Sequence, residues 1–163
     1  MSIESVRAFF AEHAPDIAVM ETPGSSATVQ LAAEAFGVEP ARIAKTLSLR
    51  LGERVVLLVA RGDARLDNRK TKAAFGVKPR MLAAEEVAEI TGHPVGGVCP
   101  FGLAQPLQVY CDVSLKAFDE VLPAAGSTSS MVRLSPERIV ALTGAEWVDV
   151  CQGPAETAEP AEG

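Results

Sequence analysis

Residues 46–61, TLSLRLGERVVLLVAR, constrain the fold more than any other part of the sequence. They form two apolar runs separated by Leu51-Gly52-Glu53, which is the pattern of a β-hairpin. The second run, Val55 to Ala60, is continuously apolar, as is typical of a strand buried on both faces. We therefore expect this hairpin in the sheet of a domain whose other elements cover it.

Helix signals occur on both sides of the hairpin. Ser2 can cap an opening helix in which Ile3, Val6, Phe9 and Phe10 share one face. Further helices are predicted from Ser25 or Ser26 to Gly37, from Asp67 to Ala74, over residues 83–92, over residues 115–122 and from Ser135 to Gly144. Short strands are predicted over residues 17–22, 78–82, 107–115, 131–134 and 146–150. This interspersed order, without a regular βαβ repeat, predicts an α/β (α+β) fold with a mixed or largely antiparallel sheet.

Length and composition favour one globular domain. The chain has 163 residues, of which 48% are hydrophobic, enough for one substantial core. We expect a single domain over residues 1–151 and a disordered acidic tail over residues 152–163. There is no apolar run of membrane-spanning length and no basic leader, so we expect a cytoplasmic protein with no membrane partner. A monomer is the default expectation.

The three cysteines, Cys99, Cys111 and Cys151, are widely spaced and lack a CxxC pattern. They indicate neither a disulfide framework nor a zinc site, and a reducing compartment suits them. With His13 and His93 as the only histidines, no metal site and no cofactor are expected.

Residues 92–102, GHPVGGVCPFG, combine glycines and prolines with a histidine and a cysteine. Such a run cannot form a regular helix or a central strand. It is either a surface turn or a loop shaped to meet a ligand. The common hydrolase and nucleotide-binding motifs are absent from the sequence. Two other candidate features therefore remain: Lys45, at the head of the first hairpin strand, and a second small-residue turn over residues 123–130.

Positive charge is concentrated in one segment of an acidic chain. The formal net charge is −6, yet residues 61–80 carry seven Lys or Arg side chains against two Asp. A solvated helix face is one interpretation of this segment. The other is a local basic patch that binds a phosphate backbone, with Arg69, Lys70 and Lys72 as the candidate contacts.

Four segments, in this order, are similar to the YbaK/ProX family of aminoacyl-tRNA deacylases, the editing domains associated with bacterial prolyl-tRNA synthetases. They are Ala44-Lys45-Thr46-Leu47, Leu66-Asp67 with the basic helix and Phe75-Gly76, residues 91–102, and Ala125-Gly126-Ser127. The resemblance covers residues 1–151. It implies a compact domain with a barrel-like central sheet surrounded by helices. It also implies that this domain hydrolyses the ester of a mischarged tRNA, with tRNA and a synthetase as its partners.

The resemblance also implies site residues. Family members use a lysine that matches Lys45, the expected catalytic residue, and a Gly-x-x-x-Pro loop that falls here on Gly96 to Pro100. The expected substrate-binding set is His93, Gly96, Gly97, Val98, Cys99, Pro100, Gly126 and Ser127. An aminoacyl ester is already activated, so oriented water and a stabilised oxyanion suffice for hydrolysis without a protein nucleophile.

Two other functions stay open at this point. The first is a catalytically silent module that binds tRNA or a synthetase. The second is a thiol hydrolase in which Cys99 acts with His93. The amino acid on the tRNA also stays open among alanine, serine, threonine and cysteine, which differ by a methyl, hydroxyl or thiol group.

Overall fold

The computed structural model describes residues 2–153. Its α-helices are α1 Ser2–His13, α2 Val29–Phe36, α3 Asn68–Phe75, α4 Ala84–Thr91 and α5 Pro136–Thr143. Its strands are β1 Met20–Glu21, β2 Ile43–Leu51, β3 Arg54–Arg61, β4 Arg65–Leu66, β5 Arg80–Met81, β6 Gln108–Asp112, β7 Leu122–Pro123, β8 Ser130–Met131, β9 Glu146–Val148 and β10 Cys151–Gln152. Two 3₁₀ helices, Pro40–Arg42 and Val113–Ala117, complete the described elements.

The predicted hairpin forms the centre of a six-stranded mixed sheet. Strands β2 and β3 pair antiparallel and are joined by Gly52-Glu53, where Gly52 takes the positive φ of +64° that such a tight turn requires. The strand order is β5-β2-β3-β6-β9, and β7 also pairs with β2. Three of the pairings, β2 with β7, β3 with β6 and β6 with β9, are parallel. The mixed α+β class predicted from the sequence is confirmed.

The continuous apolar run of β3 is buried on both faces, as predicted. Its side chains from Val56 to Ala60 are all inaccessible to solvent. Leu57 and Val59 contribute to a large core beneath α1, whereas Val56, Leu58 and Ala60 pack in a second cluster on the opposite face. Helix α1 places Val6 and Phe10 in the first core, so its predicted apolar face is correct there.

The barrel-like central sheet that the resemblance implies is not a closed barrel in the described part of the chain. Strands β5 and β9 end the sheet order and do not pair with each other among the described residues, so the sheet stays open. Strands β1 with β8 and β4 with β10 form two separate antiparallel pairs. The short strands therefore cover parts of the domain without closing the central sheet.

The helix starts were predicted with mixed success. Asp67 and Ser135 cap α3 and α5 as expected. The predicted caps Ser25 and Ser26 are wrong, because Thr28 accepts the Leu31 N–H at the start of α2 while the Ser26 hydroxyl donates to the Thr128 carbonyl. A tertiary contact has taken the side chain that the local pattern assigned to the cap.

The end of the predicted domain can be compared only in part. Gln152 lies in β10, paired with Arg65, although it was assigned to the disordered tail. The rest of the predicted disorder, over residues 154–163, lies outside the described residues. Within residues 2–153, none of the helices has the length and apolar character needed to cross a bilayer.

Candidate active site

A cavity of about 460 Å³ opens beside the middle of β2. Its walls come from five parts of the chain: the start of α2, strand β2, the β5–α4 segment, the glycine loop of residues 92–102 and the turn of residues 123–131. Most of the lining is apolar, from side chains such as Ile43, Leu82, Val87 and Met131. Among residues 2–153, no aspartate or glutamate lines the cavity.

The cavity lies where β2 has no neighbouring strand. On that side of β2, strand β7 pairs with Ile43 and Ala44, and strand β5 pairs with Leu49 and Arg50. Within the described part of the chain, residues 45–47 have no strand partner on this side. A short stretch of sheet edge is therefore exposed to the cavity.

The hairpin register shows which backbone groups this edge presents. Leu82 N–H donates to the Ser48 carbonyl at 3.2 Å, so the Ser48 backbone points away from β3. In an antiparallel pair the backbone direction alternates from one residue to the next. The N–H and C=O of Thr46 therefore also point away from β3, toward the cavity, and provide a donor and an acceptor for a ligand.

The glycine loop approaches the opposite wall closely, which explains two of its glycines. Gly96 has a φ of +90°, and a Cβ atom there would lie 2.9 Å from the Cβ of Ala27. A Cβ atom on Gly97 would lie 2.8 Å from the backbone of Ser127, and the Gly126 N–H donates to the Gly97 carbonyl at 3.0 Å. The two small-residue turns predicted as one site are thus in direct contact.

Lys45 and the glycine loop meet at the same cavity. Lys45 lines the cavity together with Gly96 and Val98, so three of the expected site residues are brought together. The Lys45 Nζ donates to the Ala64 carbonyl. Burial lowers the pKa of Lys45 below its usual 10.5, and the nearby negative charge of Asp63 opposes this effect.

Lys45 lies on the opposite face of β2 from Thr46 and Ser48, since side chains alternate along a strand. All three nevertheless line the cavity. The cavity therefore extends around the open edge of the strand, although the residues next to the Lys45 ammonium group, Asp63, Ala64 and Cys151, are not among the described residues that line it.

His93 and Cys99 lie behind the cavity wall and are fully buried. His93 Nε2 donates to the Phe101 carbonyl at 2.8 Å, and Cys99 Sγ lies 3.7 Å from the same nitrogen. Burial lowers the pKa of His93 and raises the pKa of Cys99 to about 12. A neutral thiol beside a nitrogen that already carries a proton cannot pass its own proton to that nitrogen.

The other expected substrate-binding residues support the loops without lining the cavity. Pro100, Gly97 and Gly126 are buried. The Ser127 hydroxyl lies 2.6 Å from that of Ser130, and it also accepts the Ser129 N–H. Ala124 and Met131, on either side of this turn, line the cavity instead.

Sequence reasoning missed several hydroxyl groups that line the cavity, those of Ser26, Thr28, Thr46 and Ser48. Thr46 and Ser48 alternate with Leu47 and Leu49 along β2, in which Lys45 was the expected site residue. Two hydroxyls on one face of a buried strand were the available signal.

The middle of the basic segment forms α3. Phe75 packs this helix against the same side of the sheet that carries Lys45. Arg69 and Lys72 are exposed. Lys70 Nζ binds the Asp149 carboxylate and the Cys151 carbonyl, both at 3.0 Å. Of the three expected tRNA contacts, Lys70 therefore also holds the end of the described chain in place.

Residues 2–153 contain no group of three or more histidine, cysteine, aspartate or glutamate side chains arranged to hold a metal ion. Among the described residues, the polar ones that line the cavity are four with hydroxyl groups and Lys45, and these suit a neutral or anionic ligand better than a cation.

Comparison with known proteins identifies relatives over nearly the whole chain. The model of the aminoacyl-tRNA editing domain family matches residues 24–142. The uncharacterised protein YwhH of Bacillus subtilis is 50% identical over 93% of this chain and 98% of its own length. The proline–tRNA ligase of Bacillus licheniformis is 32% identical over 67% of this chain, and the matched region is 19% of that ligase.

A solved structure proposed to be a trans-editing enzyme for prolyl-tRNA synthetase shares the fold. It has a TM-score of 0.85 and 34% sequence identity, covering 93% of this chain and 98% of that chain. The residues that line the cavity, the glycine loop and α3 all fall within residues 24–142, the range matched by the family model.

Proposed function

The chain belongs to the aminoacyl-tRNA editing domain family, and on that basis we propose that it hydrolyses the ester bond of mischarged aminoacyl-tRNA. The observation that carries the proposal is the cavity at the open edge of β2, where Lys45, the Thr46 backbone and Gly96 meet. Its volume of about 460 Å³ suits a small aminoacyl group with part of the terminal nucleoside.

The reaction needs no protein nucleophile. The oxygen of a water molecule attacks the ester carbonyl carbon. The bond between that carbon and the ribose oxygen then breaks, and the ribose oxygen leaves with a proton. The backbone N–H of Thr46 is directed so that it can donate to the oxyanion that develops on the carbonyl oxygen. Gly96 allows the aminoacyl group to lie close to the loop backbone, where a larger side chain would collide with Ala27.

Lys45 supplies the positive charge of the site. We infer that its ammonium group turns from the Ala64 carbonyl, beside the segment that leads into α3, to the anionic side of the bound substrate. Arg69 and Lys72 are exposed on that helix and extend the positive surface for the tRNA backbone. We propose tRNA as the partner, a synthetase as a second partner, and action as a monomer in the cytoplasm.

The thiol alternative has less support. Cys99 and His93 are shielded from the cavity, and both direct their polar atoms to the Phe101 carbonyl. Burial raises the pKa of Cys99 to about 12, so the reactive thiolate is scarce at neutral pH.

The test is a deacylation panel. One tRNA species charged with alanine, serine, threonine, cysteine or its cognate amino acid is incubated with the protein, and the remaining ester is followed over time. We expect hydrolysis of at least one small non-cognate ester and sparing of the cognate one. Binding of tRNA without hydrolysis of any ester would instead support the silent module.

A further inference from the structure

One buried side chain ties the two ends of the glycine loop together. His93, near the start of the loop, is inaccessible to solvent. Its Nε2 donates to the carbonyl of Phe101, near the end of the loop, at 2.8 Å, and the two residues are eight positions apart in the chain. The bond therefore sets the separation of the two ends of the segment between them.

Phe101 is the fixed end of this tie. Its side chain is inaccessible to solvent, and its ring centroid lies 4.7 Å from that of Phe10 in α1. The next residue, Gly102, is held by the same helix, since the Ser5 hydroxyl donates to its carbonyl at 2.9 Å. Helix α1 thus fixes the end of the loop, and the His93 bond extends that constraint to the start of the loop.

The segment between the tied ends forms part of the cavity wall. Val95, Gly96 and Val98 line the cavity, and His93 lies behind them. The fit of this segment is tight, because a Cβ atom on Gly96 would lie 2.9 Å from the Cβ of Ala27 on the opposite wall. A change in the separation of the tied ends would therefore move the wall and change the shape of the cavity.

The second ring nitrogen indicates that His93 does more than fill the core. Its Nδ1 is buried and has no hydrogen-bond partner among the described residues. An unpaired buried polar atom costs free energy, so an apolar side chain of similar size would suit the packing at least as well. The Phe101 carbonyl would keep a donor after such a change, because the Cys99 thiol also lies 3.6 Å from it. What the imidazole adds is the tie across the loop.

We propose that His93 is a positioning residue of the site, whose bond to the Phe101 carbonyl fixes the glycine loop against the cavity. The loop in turn holds the ester carbonyl within reach of the Thr46 N–H. This inference rests on the proposed deacylase function. A misplacement of about 1 Å can lower a rate by about 100-fold even when the altered residue touches no substrate.

Three variants of His93 separate the bond from the packing. His93→Leu removes the donor and keeps an apolar side chain in the core. His93→Gln places its amide nitrogen about as far along the side chain as the imidazole Nε2, so it can still donate, whereas the amide of His93→Asn is too short to reach the Phe101 carbonyl. We expect rescue by Gln and not by Asn. His13→Leu, at the other histidine, whose side chain is 49% exposed, is the matched control.

The first measurement is amide hydrogen exchange, which does not depend on catalysis. The Gly97 N–H donates to the Pro94 carbonyl at 2.9 Å, and the Gly126 N–H donates to the Gly97 carbonyl at 3.0 Å. In His93→Leu we expect both amides to exchange about tenfold faster relative to the amides of β3. A general loss of stability would accelerate exchange in β3 as well, whereas release of the loop is local.

The second measurement is steady-state deacylation of the best ester in the panel. We expect His93→Leu to lower kcat/KM by about 10- to 100-fold and to raise KM. A partly unfolded sample would lower the apparent kcat but leave KM unchanged, so the rise in KM identifies a displaced wall. Binding of amide-linked alanyl-adenosine, which resists hydrolysis, should weaken in the same variant when it is measured by calorimetry.

The outcomes separate the positioning role from the proposed function. Loop amides that exchange no faster than those of β3, or a KM that stays at the wild-type value, overturn the role of His93 while the deacylase stands. If His93→Leu does not fold, the Gln and Asn variants decide by the same measurements. If the wild-type protein hydrolyses no ester, the deacylase fails. Faster loop exchange with weaker analogue binding then supports the positioning role, and any other result overturns it.

Discussion

Replacing Lys45, a residue of the cavity wall, by methionine removes its ammonium group and keeps most of the apolar length of the side chain. A hydrogen bond to a charged group contributes about 1.5–3 kcal/mol, so kcat/KM should fall by roughly 10- to 150-fold if the ammonium holds the substrate in the transition state. Arginine should rescue poorly, because its planar fork presents its donors differently from a compact ammonium.

The fold should not lose stability in the same variant. Burial already disfavours the charged form of Lys45, as the lowered pKa indicates, and methionine removes that penalty together with the bond to the Ala64 carbonyl. We therefore expect a melting temperature equal to or above that of the wild type. Lys116→Met, a lysine outside the cavity wall that stacks on Trp147, is the matched control.

The assay is single-turnover deacylation of the best substrate in the panel, with thermal unfolding of each variant measured alongside. A Lys45→Met protein that deacylates at the wild-type rate would refute the role assigned to the ammonium group. A variant that loses activity and stability together would show that Lys45 acts through the fold.

Three further predictions follow from the same structure. The double variant Arg69→Ala/Lys72→Ala should reduce the slope of log K against log salt for tRNA binding by about 1.5 without destabilising the fold, and an unchanged slope would show that this helix face is only solvated. Lys70→Ala should in addition lower the melting temperature, because its bonds to Asp149 and Cys151 are lost. Cys99→Ala should keep most of its turnover and lose a little thermal stability, because the smaller side chain leaves a cavity in the core; complete loss of turnover would revive the thiol mechanism. The turnover should also survive treatment with a chelator. Because burial lowers the pKa of Lys45, its ammonium group should deprotonate with a midpoint below pH 10.5, which a ¹³C NMR titration of the lysine ε carbons can measure. The folded state should gain stability as the pH rises from that midpoint to 10.5, because the unfolded chain then binds more protons. A midpoint above 10.5 would contradict the burial argument.

Local signals in the sequence predicted the elements whose chemistry is local. The hairpin turn at Gly52, the cap at Asp67 and the helix stop at Gly144 are all confirmed, since each depends on residues within one turn of it. The cap of α2 was wrong because Ser26 bonds to Thr128, more than a hundred residues away. The sequence predicted the mixed sheet but carried no signal for whether it closes, because sheet closure depends on pairings between distant strands.

The site was predictable to a similar extent. The resemblance named Lys45 and the glycine loop, and the cavity contains both. The exclusion of His93 and Cys99 from its wall depends on the path of the loop around Phe101, which no local pattern specifies. The open edge at residues 45–47 results from where β5 and β7 stop along β2, and the sequence carried no signal for that.

The cavity wall has a consequence for synthesis of the protein on the ribosome. Strands β2 and β3 are adjacent in the chain and can pair early, but the wall runs from Ser26 to Met131 and needs the glycine loop and the second turn. Chain segments emerge in order, so a nascent chain that ends before Met131 has the hairpin and Lys45 without an enclosed pocket. Enclosure of the cavity should therefore appear late, as a step, in a series of C-terminal truncations, and the proposed deacylase activity should appear with it.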